Sequence, residues 1–493
     1  MTTLQDDGFF SSKPRTSRTW RLGRLGLTIM AYIVFSLAAV ITPWAQVVKT
    51  LASFDGANGS SPLGYLVLST DGNFYGTTFS GGANGYGTVF KINPQGTLTT
   101  LYSFCNHTNC TDGANPNAGL VQATDGRLYG STQWGGVNND GTIFRITLAG
   151  KLTSLHSFDG SDGTAANGGL VQGTDGNFYG TTVTGGVNDT GTVFKITPQG
   201  TLTTLYSFCS EAGCTDGAYP NEGVMQGIDG SFYGSTWWGG YYGYGTVFKI
   251  TTPGLLSTLH SFSGSDGEQP DGLAQATNGD FYGTTVTGGY NYGTVFRITP
   301  EGTLTTLYQF CSKANCSDGA YPYAILLQGT DGNLYGTTTG GGAYCPYNTT
   351  CGTIFKITLA GKLTTVHSFC PKSNCSEGST SNGLLQATNG NFYAAAQRGG
   401  AYSDGAIFRL SMGLGPFVTF IQNSGKVGQL AEILGQGLTG TSGVTFNGTA
   451  ANFTVYSDNY LTATIPQGAT TGFVIVTTPD GALKSNVKFR IRK

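Results

Sequence analysis

From Val47 to Leu410 the chain is written as short apolar runs separated by a few polar or glycine positions. One stretch, Thr174 to Phe208, shows the pattern: TDGNFYGTTVTGGVNDTGTVFKITPQGTLTTLYSF. The runs Phe178 to Thr182, Thr192 to Thr197 and Leu202 to Phe208, with Gly169 to Gly173 just before them, are rich in β-branched and aromatic residues. Gly, Asp, Asn and Pro stand between them. That combination predicts four strands joined by turns, and no run carries the 3.6-residue period of a helix. Val89-Phe90-Lys91-Ile92 and Val193-Phe194-Lys195-Ile196 are too apolar to alternate cleanly, as expected of strands covered on both faces.

The same unit recurs. The Tyr of its FYG or LYG triplet falls at Tyr75, Tyr129, Tyr179, Tyr233, Tyr282, Tyr335 and Tyr393, at intervals of 54, 50, 54, 49, 53 and 58, the last copy having become FYA. Four strands per unit of this length predict one small sheet per repeat, as in a β-propeller, whereas solenoid repeats are shorter. Val47 to Phe54 (VVKTLASF) matches the fourth strand of a repeat but has no first three strands before it. The seventh copy supplies Gly383 to Leu410 and stops short of its fourth strand. The expected fold is all-β: a seven-bladed propeller over residues 46–412, closed by the N-terminal strand so that no sheet edge is left open. The Phe and Tyr of FYG are expected as core between blades.

After Leu414-Gly415-Pro416 the repeat ends, and residues 416–493 read as about seven short strands with Gly-rich turns, a small β-sandwich. At the other end, Lys13, Arg15, Arg18, Arg21 and Arg24 precede the apolar run Leu25 to Ile41. Residues 1–45 are therefore expected to be a signal peptide cut near Ala45, or an uncleaved signal anchor, which is the one route to a membrane; either places the repeats outside the cytoplasm, secreted or at the cell surface. The ten cysteines agree, since all fall into close pairs: Cys105/Cys110, Cys209/Cys214, Cys311/Cys316, Cys345/Cys351 and Cys370/Cys375. Even, local pairing in an exported chain predicts disulfides, with the connectivity of the last four left open. A metal site among them is disfavoured because His107 is the one histidine in these loops.

Charge narrows the function. The chain has 25 Lys and Arg against 27 Asp and Glu; without residues 1–45 the balance is 20 against 25, a net charge of −5. There is no basic footprint for nucleic acid. No GxSxG, phosphate loop or HExxH occurs, and no cofactor or metal is expected. His156, His260 and His367 take the place of Tyr in LYSF and mark a structural slot.

Two resemblances extend this reading. Val427 to Gly481, with VTFNGTAANFTV and TATIPQGATTG, resembles an IPT/TIG domain, an immunoglobulin-like module, which implies an accessory interaction or spacer role. The units DGNFYGTT, GG and GTVFKITPQGTLTTLYSF, from residue 47 to about 412, resemble the bacterial GloVer tandem repeats. That resemblance implies export, with surface anchors of varied kind at the C-terminus, and brings no activity with it. Here a TIG-like tail stands where an anchor would be.

In an up-and-down sheet the 1–2 and 3–4 turns share one face, and the 2–3 and 4–1 connections share the other. The first set is short and uniform; the second is long and variable and holds all ten cysteines. Variable loops on a rigid frame are where binding resides. The candidate ligand-binding residues are Trp134, Trp237, Trp238, Tyr241, Tyr242, Tyr290 and Tyr292, with Tyr344, Tyr347 and Tyr402 on further loops; packing between loops is the competing role. Three residues before each DG or NG turn stand Leu68, Gln122, Gln172, Gln226, Gln275, Gln328 and Gln386, expected to bond between blades rather than to a ligand. Asp112, Asp162, Asp216, Asp266 and Asp318, with Glu377 in the last copy, each precede Gly and are expected in turns rather than as calcium ligands. The expected function is a non-enzymatic binding scaffold for polysaccharide or an extracellular protein. A carbohydrate-active lyase or hydrolase using the same face is the alternative.

Overall fold

The computed structural model describes residues 47–345, 351–371, 375–381 and 383–492. The segment 1–45, read as an export signal, and Tyr347 lie outside the described residues. Among the described residues no helix is long and apolar enough to cross a membrane.

The repeats form antiparallel sheets, one per copy, in a propeller-like, all-β arrangement; the first five are four-stranded and the last two carry a further short strand, Ala320–Pro322 and Ser379–Ser381. In the third copy the strands are Val171–Gln172, Phe178–Thr182, Thr192–Ile196 and Leu202–Ser207. The inner strand is shorter than the apolar run Gly169 to Gly173. The reason is the turn that follows: the Gly173 amide donates to Asn177 O at 2.8 Å and the Gly176 amide to Gly173 O at 2.9 Å, so the chain reverses at once. The glycine of FYG is there for space. A Cβ on Gly180 would lie 2.7 Å from Phe194 Cζ and 2.9 Å from Leu170 Cδ2, so only a bare backbone lets the Phe of the third strand lie across it.

Neighbouring sheets meet through the aromatic pair of FYG, as expected. Tyr129 stacks on Phe178 of the next sheet at 4.0 Å, Tyr179 on Phe232 at 3.9 Å, and Tyr233 meets Phe281 at 4.1 Å. Where Leu replaces Phe, Tyr75 packs with Leu128 and Tyr282 with Leu334. The series continues from Tyr335 to Phe392, and then from Tyr393 of the seventh sheet to Phe74 of the first, at 4.2 Å. The hydroxyls of Tyr75, Tyr129, Tyr179, Tyr233 and Tyr335 donate to the turn carboxylate, as Tyr179 does to Asp175 at 2.8 Å, whereas those of Tyr282 and Tyr393 accept from the turn amides of Asn278 and Asn389.

The N-terminal strand Val47–Ser53 pairs with Ala406–Ser411, from Val47 opposite Ser411 to Ser53 opposite Ala406. Phe54, which follows it, is fully buried against Phe90 at 5.1 Å.

The tail builds a second core. One sheet runs in the order Thr419–Phe420, Leu430–Leu434, Tyr460–Thr464, Phe453–Ser457, and the other Thr449–Ala451, Gly443–Phe446, Val474–Thr478, Gly481–Lys484. Ile433, Leu461, Val444, Phe446 and Val476 from both sheets are buried together with Phe489. This unit sits on the 1–2 turns of the repeats. Gln422 Nε2 donates to Gly173 O at 3.2 Å, Arg492 Nη1 to Thr174 O at 2.7 Å, and Arg490 Nη1 to Ile228 O. On the far side Phe417 N donates to Thr388 O at 2.9 Å and Thr388 Oγ1 to Gly435 O at 3.2 Å.

Candidate functional site

The long connections on the opposite face are stiffened from within. All ten cysteines form local disulfides, Cys105–Cys110, Cys209–Cys214, Cys311–Cys316, Cys345–Cys351 and Cys370–Cys375, which settles the pairing of the last four. Cys351, Cys370 and Cys375 lie together, but as disulfide sulfurs they are not free thiolates for a metal. The acidic residue of each 4–1 loop is occupied as well. Asp216 accepts from the Tyr206 hydroxyl at 2.8 Å and the Ser210 amide at 2.9 Å; Asp112 and Asp318 repeat this with Tyr102 and Tyr308 at 2.7 Å. Where the slot holds histidine, His156 Nε2 meets Asp162 at 2.6 Å, His260 meets Asp266 at 2.8 Å, and His367 meets Glu377 at 3.1 Å. One substitution therefore explains the other. Tyr or His on the outer strand exists to hold the loop carboxylate, a pairing the separate motifs did not reveal.

The glutamines make bonds between sheets. Each Oε1 accepts an amide from the preceding sheet's turn: Gln122 from Thr70 at 3.0 Å, Gln172 from Thr124 at 3.0 Å, Gln226 from Thr174 at 3.0 Å, and likewise Gln275, Gln328 and Gln386. The Nε2 side donates to the glycine carbonyl of its own turn, as Gln275 does to Gly279 at 2.8 Å. Leu68 in the first sheet cannot do this. At that seam the Thr388 hydroxyl donates to the tail carbonyl of Gly435.

The 2–3 and 4–1 connections are bridged in pairs, Ala114 with Trp134 and Ala218 with Trp238, so they form one face. On it Trp134 is 40% exposed, Trp238 45%, Tyr241 77%, Tyr242 58% and Tyr290 61%. Tyr241 and Tyr242 meet edge to face at 4.9 Å, on the same loop as Trp238. Trp134 and Tyr290 make no ring contact among the described residues. The other two candidates turn inward: Tyr292 packs on Tyr321 at 5.6 Å, and Trp237 on Tyr323 at 5.8 Å, half-buried and with its Nε1 unpartnered. The seven do not form one platform; Trp238, Tyr241 and Tyr242 form its dense part.

Tyr323 leads to a feature that the motif search missed. The residues just ahead of the inner strands converge on a central cavity of about 30 Å³, lined by Tyr65, Asn117, Asn167, Asn221, Glu222 and Tyr323 among others. Immediately before Gly119 and Gly169 the chain has Ala118 and Gly168; the matching places before Gly223 and Gly272 hold Glu222 and Asp271. Burial raises the Glu222 carboxyl well above the usual range, with the Asp271 charge adding to it, and burial raises Asp271 to about 7, opposed by the Gly272 amide. Burial, and these two charges, also raise the Tyr65 and Tyr323 hydroxyls. The available signal was the break in the small-residue slot, in two consecutive copies.

Fold and site together define an all-β tandem-repeat protein of propeller-like build. The chain belongs to the Gloeobacter/Verrucomicrobia repeat family, whose model matches residues 34–227 and 220–460. No curated protein matches its sequence. Among solved structures it is similar to the extracellular domain assigned to a hybrid two-component system of Bacteroides thetaiotaomicron, at 12% identity and a TM-score of 0.47, covering 91% of this chain and 59% of that one. An auxiliary nutrient binding protein of the same organism matches at 12% identity and 0.41, covering 74% and 76%. A protein assigned as a gluconolactonase matches at 13% and 0.39, covering 76% and 94%.

Proposed function

We propose that this chain is an exported, non-catalytic binding scaffold: a seven-bladed β-propeller closed by Val47–Ser53, with an IPT/TIG-like tail, that takes polysaccharide or an extracellular protein on its loop face. The aromatic contacts passing from sheet to sheet and on from Tyr393 to Phe74 support the closed ring. Five disulfides support an oxidising compartment outside the cytoplasm.

The observation that carries the binding reading is the exposed cluster Trp238, Tyr241 and Tyr242, held on a loop that the Ala218–Trp238 bridge fixes. Flat rings with polar tips suit a partly wet surface, and large exposed aromatics are the residues on which binding energy concentrates. The opposite face is occupied by the tail, which leaves this one for partners. A glycan array probed with the wild type and with Trp238→Ala/Tyr241→Ala tests it. At least tenfold weaker retention of the variant is expected; equal retention removes the platform.

The alternative, a glycan lyase or hydrolase, draws on Glu222 and Asp271, the carboxyls whose acidity the fold shifts most on this side. A cavity of about 30 Å³ has room for one or two water molecules and none for a sugar ring, so binding at the rim is the better reading. New reducing ends or unsaturated products from a polysaccharide panel would reverse that preference.

A further inference from the structure

The central cavity is chemically one-sided. Its polar lining side chains, those of Tyr65, Asn117, Asn167, Asn221, Glu222 and Tyr323, all carry oxygen, and among the described residues no Lys, Arg or His joins them. Asp271 is 0% exposed, and neither of its carboxylate oxygens has a hydrogen-bond partner. It stands in the next repeat at the place of Glu222, just behind the cavity lining, and Gly272 beside it lies against the Glu222 side chain, a Cβ there falling 3.5 Å from Glu222 Cβ. Asn167 Oδ1 is likewise buried and unpartnered. Asn221 donates its Nδ2 to the Tyr323 hydroxyl at 2.8 Å, which leaves Oδ1 to accept. The Tyr65 hydroxyl accepts from the Ile325 amide at 2.9 Å and keeps one proton to give.

Counted by hydrogen-bonding capacity, the lone pairs of two carboxylates and the asparagine carbonyls outnumber the donors, which are two phenol protons and the asparagine NH2 groups, that of Asn221 already engaged by Tyr323. Water supplies hydrogen-bond donors but no positive charge, so it leaves the carboxylates electrically unpaired. Buried carboxylates are normally paired with a cation or a metal, and among the described residues no basic side chain is paired with these. The volume excludes an organic ammonium ligand but admits a single ion.

We propose that this cavity is a binding site for one divalent cation, held by Glu222 and Asp271 with the side-chain oxygens of Asn167, Asn221 and Asn117. All donors are hard oxygens, and they come from different repeats except for the adjacent Asn221 and Glu222, so their spacing is not that of a tight octahedron. Both features favour calcium over magnesium, since calcium accepts six to eight oxygens in irregular geometry. The ion would tie the second to fifth repeats together at their inner ends. This inference is independent of the aromatic rim.

The test uses the full chain, stripped with EDTA and titrated with CaCl2, and in parallel with TbCl3, whose luminescence the nearby Tyr323 and Trp237 sensitise. Expected are one Ca²⁺ per chain, a thermal midpoint higher in Ca²⁺ than in EDTA, and Tb³⁺ emission that Ca²⁺ displaces. Asp271→Asn and Glu222→Gln should each weaken Ca²⁺ binding at least tenfold while unfolding in EDTA no earlier than the stripped wild type, because each removes an uncompensated buried charge. If one variant does not fold, the other together with the stripped wild type decides. A midpoint that ignores Ca²⁺ in the wild type, or binding that both variants retain, overturns the site and leaves a carboxyl pair neutralised by protons alone.

Discussion

Phe54→Ala is the sharpest probe of ring closure, because Phe54 belongs to the N-terminal strand while the ring it packs on, Phe90, belongs to the first sheet. Phe54 is fully buried, its centroid 5.1 Å from that of Phe90. Its counterparts after the outer strands of other sheets, Phe104, Phe158, Phe208 and Phe262, are also fully buried. Phe208 meets Phe248 at 5.2 Å in the same edge-to-face manner. Truncating such a phenylalanine costs roughly 3–5 kcal/mol through lost transfer energy and the cavity left behind. If the N-terminal strand is a full outer strand, Phe54→Ala and Phe208→Ala should destabilise equally, within about 1 kcal/mol. Removing residues 46–54 should cost more, since six registered residue pairs with Ala406–Ser411 go as well, at roughly 1 kcal/mol for each hydrogen bond lost. Urea unfolding followed by tryptophan fluorescence measures both. A Phe54→Ala cost below about 1 kcal/mol beside a Phe208→Ala cost of about 3 kcal/mol would refute closure by this strand.

Gln226→Ala should cost about 1–3 kcal/mol, because it strands the Thr174 amide it now accepts from at 3.0 Å; amide exchange at Thr174 should accelerate with it. Asp216→Asn should loosen the loop 209–216, which that carboxylate gathers, without unfolding the sheets; limited proteolysis should then cut there first. Burial raises the Glu432 carboxyl, against the Tyr460 hydroxyl that bonds it at 3.0 Å, with the Asp125 charge of the second repeat adding to the rise. A folded value above the unfolded one means that its contribution is full at low pH and is lost as pH rises through the folded value. Glu432→Gln should therefore flatten the fall in thermal midpoint as pH rises above the ordinary carboxylate range.

The period of the repeat, its four strands and its cysteine pairs were legible because each is local: the spacing of FYG, the DG turns and cysteines five or six residues apart show without any tertiary knowledge. The acidic pair was not, since Glu222 and Asp271 are 49 residues apart and each looks like one more loop residue. Only the convergence of the chain ahead of the inner strands brings them together. Trp237 and Trp238 illustrate a second limit. Adjacent in the chain, they turn to opposite surroundings, Trp237 against Tyr323 and Trp238 to solvent, and alternation predicts that they part without saying which goes inward. The docking of the tail was hidden for a plainer reason: its bonds are made largely to backbone carbonyls, Gly173, Thr174 and Ile228, which carry no side-chain signature.

Pairing Val47–Ser53 with Ala406–Ser411 also sets an order in time. The first repeat-type strand to be synthesised waits for a partner made more than 350 residues later. At about 5–20 residues per second that wait lasts tens of seconds. Throughout it the first segment remains an unpaired apolar edge of the kind that invites wrong pairing. The pairing is thus a contact of very high sequence separation, the kind whose loop-closure entropy must be met before it returns any stability.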